Sequence, residues 1–465
     1  MKKIAFYTLG CKVNQYETNA MKQKFIDSGY EVVEFEEKSD IYVVNTCTVT
    51  NMADRKSRQI LRRAKQRNKN SLLVVVGCYV QVGKEELEQI EEIDVILGNN
   101  EKNEIVEYVE EYQRKSCFVS EINKPQEYKE FGNTTYTETV RAFIKVQDGC
   151  DNFCSYCIIP YARGRIRSRK IENVISEITD IAQKGIKEVV ITGIHIASYG
   201  KDMQENITLI DLLEKINEIE GIERIRLGSL EPKLLTEEFI AKLSKLEKIC
   251  EQFHISLQSG CDDTLKRMNR KYTTQEVEKG IKELRKMYPN SLLTADLIVG
   301  FPGETDEDFR ITCDFLKQIG FYKIHTFKYS KRKGTVAEKM PNQILPDVQE
   351  QRSKIIMKLS DEMQNEYNQK YLGKTVKVLF EEKEGEYYKG HTTNYMMIYM
   401  KSEEKIENEI KDIYIDKIEN DRIIGIWIIL PEYVLRNIIK FTTVFKFILK
   451  RILAKYSFLR YNIWG

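Results

Sequence analysis

Three cysteines fall within eight residues, Cys150-Asp151-Asn152-Phe153-Cys154-Ser155-Tyr156-Cys157, with the spacing C-x3-C-x2-C. Thiolates this close suit an iron–sulfur cluster better than a structural zinc. Zinc takes four ligands, usually as two separated pairs, and no fourth Cys or His lies nearby. Three protein ligands on a four-iron cluster leave one iron open to a small chelating molecule. Three more cysteines, Cys11, Cys47 and Cys78, form no local motif, but each directly follows an apolar strand-like run: Tyr7-Thr8-Leu9-Gly10, Val44-Asn45-Thr46 and Val75-Val76-Gly77. In a parallel sheet the loops after adjacent strands share one edge, where open α/β sheets bind ligands. These thiols are therefore expected to converge in one crevice, again without a fourth. Cys117, Cys250, Cys261 and Cys313 read as structural, and His195 and His254 as hydrogen-bonded rather than ligating.

Strands and helices must alternate to hold the thiols in this way. Residues 1–113 read as βαβαβα, which implies a doubly wound parallel sheet. Residues 114–139 are polar and irregular and read as a linker. From 140, apolar runs at Ala142–Val146, Glu188–Thr192, Arg224–Leu227, Gln252–Leu257, Leu292–Val299 and Lys323–Tyr329 alternate with helical periodicity. Six such units predict a partial (β/α)6 barrel rather than the complete eight, followed by a long helix to 371. Residues 372–430 are strand-like, with turn signals at Glu384-Gly385 and Asn420-Asp421, and fit a small all-β barrel. A tail, 431–465, is basic and aliphatic.

The chain has 465 residues, 73 basic and 71 acidic, enough for two or three domains of a soluble α/β protein. Ten cysteines in a chain this long are not a disulfide scaffold and point to a reducing compartment. The first apolar run is six residues without a cleavage pattern, and no run is long enough to span a bilayer. A cytoplasmic protein is expected.

The cysteine spacing, with an aromatic residue before the last cysteine, resembles the radical S-adenosylmethionine superfamily. That resemblance implies that the open iron holds S-adenosyl-L-methionine and that reductive cleavage yields a 5′-deoxyadenosyl radical. Segments after later barrel strands resemble the superfamily's cofactor-binding loops: Ser229-Leu230-Glu231-Pro232, Ser256-Leu257-Gln258-Ser259-Gly260 and Gly300-Phe301-Pro302-Gly303-Glu304. Tyr156, Glu231, Gln258, Gly300 and Glu304 are the expected cofactor contacts.

Thr8-Leu9-Gly10-Cys11-Lys12-Val13-Asn14-Gln15-Tyr16-Glu17 and Asn45-Thr46-Cys47-Thr48-Val49-Thr50 resemble the methylthiotransferases, over about residues 3–430, and within them the MtaB-type branch. The resemblance implies a second [4Fe-4S] cluster on Cys11, Cys47 and Cys78. It also implies methylthio transfer to C2 of N6-threonylcarbamoyladenosine in the anticodon stem-loop of tRNA, an electron donor such as flavodoxin or ferredoxin, and a sulfur source, with no stable protein partner. The related readings are isopentenyladenosine or a ribosomal protein as substrate. A reading of another class is a non-catalytic iron–sulfur RNA-binding or redox-sensing protein.

Basic residues cluster twice. Arg55, Lys56, Arg58, Arg62, Arg63, Lys65, Arg67 and Lys69 run without an acid between them, and a one-sign helix in a near-neutral protein favours phosphate contact over a solvated face. Arg163, Arg165, Arg167, Arg169 and Lys170 follow the cysteine motif and are expected to hold phosphates over the active site. The 372–430 segment resembles a TRAM domain, an RNA-binding β-barrel. The tail reads as a basic amphipathic helix suited to anionic membrane surfaces or RNA.

Overall fold

The computed structural model describes residues 1–124, 126–136 and 139–427. An all-parallel sheet comprises β1 (Lys3–Thr8), β2 (Glu31–Val33), β3 (Ile41–Thr46), β4 (Leu72–Gly77), β5 (Val95–Leu97) and β6 (Ser116–Phe118), in the order β2-β1-β3-β4-β5-β6. β3 is buried at all six positions because helices cover both faces of the sheet, one around Tyr16, Met21 and Phe25, the other around Ile60, Leu61 and Ala64. The strand order reverses between β1 and β3, so the carboxyl ends of these two strands flank the crevice where such sheets take ligands. The strands β2, β5 and β6 have three residues each, too few for a period-2 pattern to register in the sequence. β6 corrects the linker reading. Cys117 sits opposite Ile96, so the sheet extends past residue 113 into the segment assigned as a connection.

The second unit contains β7 (Arg141–Asp148), β8 (Arg167–Ser168), β9 (Glu188–Gly193), β10 (Arg224–Leu227), β11 (Gln252–Gln258), β12 (Leu292–Val299) and β13 (Lys323–Lys328). Strands order as β10-β9-β7-β8 and β11-β12-β13, and the single bridges Ile225–Ile249 and Leu230–Ile255 connect the two groups. Six parallel strands thus form an open arc, with β8 added antiparallel to β7. Alternation sorts the faces. Ile144, Val189, Ile225, Phe253, Ala295 and Ile324 pack outward under the helices. Their neighbours Lys145, Glu188, Arg226, His254, Asp296 and His325 face inward, so the barrel interior is polar.

The third unit, β14 (Thr375–Glu384), β15 (Tyr387–Thr392), β16 (Met397–Lys401), β17 (Ile410–Glu419) and β18 (Arg422–Trp427), closes into a barrel ordered β14-β15-β16-β18-β17. Its hairpins turn at Gly385 (φ 62°) and at Asn420-Asp421 (φ 49° and 61°), both central residues of the latter having the positive φ of a tight hairpin turn. The barrel docks on the start of β10: Arg224 donates to the His391 and Lys377 carbonyls at 2.9 and 3.0 Å, and Arg226 to those of Thr393 and Thr392 at 3.1 and 3.3 Å. Tyr388 is core. Tyr395 stacks on His391 beneath Arg226, inside the docking contact. Among the described residues no helix is long and apolar enough to cross a membrane. The amphipathic tail predicted at 431–465 lies outside the described residues.

Candidate active site between two cysteine sets

The C-x3-C-x2-C loop leaves β7 through Gly149. Its φ is 71°, and a Cβ there would stand 1.8 Å from the Arg165 carbonyl oxygen. Only glycine can make that turn. Gly149→Ala is expected to displace Cys150, lower the unfolding midpoint and reduce iron loading; wild-type stability with full iron content would sink this account. The loop is then pinned from three sides. Ser155 donates its N–H to the Met268 carbonyl at 3.0 Å, Asn269 donates to the Phe153 carbonyl at 3.0 Å, and Ala337 donates its N–H to the Ser155 carbonyl at 2.7 Å.

Polar groups converge beside these thiols. Arg270 donates to Cys154 Sγ at 3.2 Å and to the Ser256 carbonyl at 3.2 Å, and lies 3.5 Å from Glu231. Glu231 also accepts from Asn152 at 3.3 Å and pairs with His195 Nε2 at 2.9 Å. Burial works to raise the Glu231 carboxyl, but His195 and then Arg270 outweigh it and hold the pKa below the ordinary value. Burial pushes the Cys150 and Cys157 thiols up to about 11 and about 12, with neighbouring thiols adding to it. Loading iron on them must therefore release protons. Tyr156 packs edge-on to Phe301.

Gln258 sits at the end of β11 with a φ of 66°. Gly300 and Glu304, the other cofactor contacts expected at strand ends, are bonded within their own loop and to the helix that follows. Gln349 covers Gly300, and Glu304 accepts from the Gly300 N–H at 2.9 Å and from Arg352 at 2.6 Å. Together they fix this loop against the helix Pro346–Gln369. The sequence reading did not pick out Asn152 or Arg270, and it gave His195 only a generic role. Their partners are 79, 116 and 36 residues away.

The second set converges as predicted. Cys11 caps the helix Lys12–Asp27, Cys78 opens the helix Cys78–Val82, and Cys47 lies against Gly10, where a Cβ would meet its Sγ at 3.0 Å. Cys47 and Cys78 are buried, while Cys11 keeps solvent contact. The Cys47 thiol is pushed up to about 12, by burial first and then by the nearby Cys78 and Cys11. Arg163 donates Nε to Cys78 Sγ at 3.1 Å.

Two short paths join the sets. Arg163 is six residues past Cys157 on the helix Ile159–Arg163, which packs against the helix Cys78–Val82. On the other side Arg332 donates to Thr48, Asn51 and Asp54 at 2.6 Å each, next to Cys47, while Ala337 holds Ser155. The cysteine-bearing edge of the sheet therefore faces the mouth of the barrel.

The chemistry of each set fits a cluster. All six cysteines are free thiols, each set has three, and a guanidinium reaches a sulfur in each. No group of three or more His, Cys, Asp or Glu among the described residues is gathered tightly enough to hold a metal ion. A four-iron cluster spaces its thiolates more widely than one tetrahedral ion does.

The second basic group corrects the sequence reading. Arg163, Arg167 and Arg169 are buried rather than displayed to a nucleic acid. Arg163 pairs with Glu17 and Asp148, Arg167 donates to Asn100 at 3.0 Å and lies 3.4 Å from Asp148, and Arg169 pairs with Glu177 and Glu130. Arg165 is exposed, over Phe153 and 3.3 Å from Asp151. In the helix Asn51–Arg67, Arg58 pairs with Tyr79 and Glu86, and Arg63 and Arg67 with Glu36. Arg55, Lys56 and Arg62 are exposed and have no ion-pair partner among the described residues. With Gln59, Arg55 and Lys56 line an open cleft of about 510 Å³ that reaches Cys47 and Gly10.

Residues 144–316 match the family model of the Radical SAM superfamily, and residues 3–98 match that of Uncharacterized protein family UPF0004. Two curated relatives carry the name threonylcarbamoyladenosine tRNA methylthiotransferase MtaB. The one from Bacillus subtilis is 40% identical over 90% of this chain and 94% of its own length. The one from Aquifex aeolicus is 43% identical over 81% and 92%. The chain belongs to the radical SAM methylthiotransferase family. A tRNA-2-methylthio-N(6)-dimethylallyladenosine synthase from Clostridium novyi is 36% identical over 82% of this chain and 86% of its own length. Among solved structures, the radical S-adenosylmethionine methyltransferase TsrM from Kitasatospora setae shares the fold at 18% identity, with a TM-score of 0.52 over 70% of this chain and 73% of that one. Membership of the radical SAM superfamily implies S-adenosyl-L-methionine and one [4Fe-4S] cluster.

Proposed function

We propose that this methylthiotransferase modifies C2 of N6-threonylcarbamoyladenosine in the anticodon stem-loop of a tRNA, using a second [4Fe-4S] cluster on Cys11, Cys47 and Cys78. The observation that carries this reading is the joining of the two cysteine sets through Arg163 and the 332–337 loop, so that a base held at the barrel mouth lies between them. The C2–H bond of adenine is not acidic enough for general-base chemistry, and the bound cluster and cofactor supply a radical. The chain's own residues then have distinct tasks. Arg270, Glu231, His195 and Asn152 hold the first loop and line the cofactor side, with Tyr156 and Gln258 at its edge. Arg163 and Arg332 hold the sulfur-donating side. The names of the relatives at 40 and 43% identity support the threonylcarbamoyl substrate. In the domain division we favour, the parallel sheet carries the second cluster, the barrel the cofactor and the C-terminal barrel, TRAM-like, part of the RNA contact. A small electron carrier and a sulfur source complete the cycle.

The test is anaerobic reconstitution followed by turnover on stem-loop RNA, with mass spectrometry of the nucleosides. Loading of about eight irons and eight sulfides per chain is expected, with 2-methylthio product from the threonylcarbamoyl RNA. Product only from isopentenyladenosine RNA would overturn the substrate reading, and none from either would overturn the activity.

The helix Asn51–Arg67 serves as the phosphate contact, through the residues the fold leaves unpaired. Replacing Arg55, Lys56 and Arg62 by Ala is expected to weaken tRNA binding and flatten its salt dependence by about 0.7–0.9 log unit per lost contact. Replacing Arg63 and Arg67, already paired with Glu36, should do less. Equal effects from both sets, read from binding curves at several salt concentrations, would remove this assignment.

A further inference from the structure

Lys12 follows Cys11 and opens the helix Lys12–Asp27, which packs on β7 and β9. Its first residue therefore stands over the barrel interior. The charges that act on Lys12 belong to barrel strands: Arg141 of β7, Glu188 of β9, Arg226 of β10 and Asp296 of β12. Lys12 in turn acts on His325 of β13. Charged groups on five of the six parallel barrel strands are thus close enough to interact with it electrostatically.

The interior anions are already committed elsewhere. Glu188 is bonded to Arg226 at 2.8 Å and lies 3.6 Å from Arg224, and Asp296 pairs with His254 at 3.0 Å. Lys102, Lys145 and Arg163 share Glu17, and Arg270 has Glu231. Lys12 alone of these cations makes no hydrogen bond and no ion pair among the described residues, and its side chain stays accessible to solvent. A cation without an anion, in a polar chamber beside two arginines, is a place for a ligand's negative charge.

We propose that Lys12 is the substrate-selecting residue of this enzyme, its ammonium pairing with the carboxylate of the N6-threonylcarbamoyl group once the adenine enters the barrel. This inference rests on the substrate reading above. C2 and C6 flank N1 of adenine and C6 carries N6, so a base presenting C2 to the cysteine sets carries its N6 substituent into the same chamber. The carboxylate of that substituent is the charge that an isopentenyl group lacks, which makes Lys12 a discriminator between the two substrates. The carboxylate of S-adenosyl-L-methionine is the other source of the same chemistry, and the experiment separates the two.

Binding is measured with reconstituted full-length protein, without turnover, to three stem-loops: one with threonylcarbamoyladenosine, one with its methyl ester and one unmodified. Wild type is expected to bind the acid about 10-fold or more tighter than the ester, and Lys12→Met to bind both alike. Lys12→Arg should keep the preference, and S-adenosyl-L-methionine affinity should be equal in all three proteins. Equal binding of acid and ester by wild type overturns the proposal without needing any variant. A retained preference in Lys12→Met overturns it too, as does a loss confined to cofactor affinity. Failure of wild type to modify threonylcarbamoyl RNA at all is a different result and strikes the substrate reading instead.

Discussion

Cys47→Ala is expected to separate the two halves of the reaction. Iron content should fall from about eight to about four per chain, cofactor cleavage to 5′-deoxyadenosine should stay measurable, and methylthiolated product should disappear. Cys150→Ala should give the converse, with cleavage abolished and the second cluster's iron retained. The asymmetry follows from the architecture. Gly149 and the contacts from Met268, Asn269 and Ala337 hold the Cys150 loop within the barrel, and none of these contacts passes through Cys47. Cleavage and thiolation are read from one reaction by liquid chromatography. Full thiolation by Cys47→Ala would remove the second cluster from the mechanism, and loss of cleavage in the same variant would mean that the two sets do not load independently.

Glu17→Gln should be the most destabilising single change outside the cysteines. The Glu17 carboxylate accepts from Lys102 at 2.5 Å and from Lys145 at 2.7 Å, and is clasped by Arg163, all deeply buried. Removing its charge leaves these cations with Asp148 as the remaining anion, which lies 2.6 Å from Lys145 and 3.3 Å from Arg163. The expected cost is about 3–5 kcal/mol, read from chemical denaturation. Because Arg163 also holds Cys78, occupancy of the second cluster should fall with it.

The pH dependence carries a sign. Burial opposes ionisation of Glu17, but Arg163, Lys102 and Lys145 prevail and hold its pKa well below the ordinary 4.5. Its contribution is thus complete above about pH 4.5 and is lost as the pH falls further, toward the folded-state value. Glu177 runs the other way, since burial raises its carboxyl despite Arg169. Wild type should lose stability below pH 4.5 more steeply than Glu17→Gln, and parallel acid limbs would show that Glu17 is not the group responsible.

Much of this design was legible in local spacing. Cys150, Cys154 and Cys157 lie so close in the chain that any fold must bring them together, and the apolar runs before Cys11, Cys47 and Cys78 set the order of strands and thereby the shared edge. Turn chemistry at Gly385 and Asn420-Asp421 marked the hairpins of the last barrel. Short elements were missed because three residues hold no period. The helix Lys12–Asp27 carries no start signal in the sequence, because its first turn has no acidic residue and its N-cap is Cys11, whose side chain makes no capping hydrogen bond.

The reading of charge needed the tertiary structure. Arg163, Arg165, Arg167 and Arg169 are spaced alike in the chain, yet three are buried and one is exposed, because Glu17, Asn100 and Glu130 reach them from 146, 67 and 39 residues away. A run of like charges states that anions are needed nearby. It does not state whether those anions are RNA phosphates or the protein's own carboxylates. Sequence alone therefore determined how the six thiols are grouped and which strand ends carry them, since both depend on near neighbours. Which cations are spent on holding the two cysteine sets together, and which one, Lys12, has no partner among the described residues, depends on contacts that exist only once the sheet has docked on the barrel mouth.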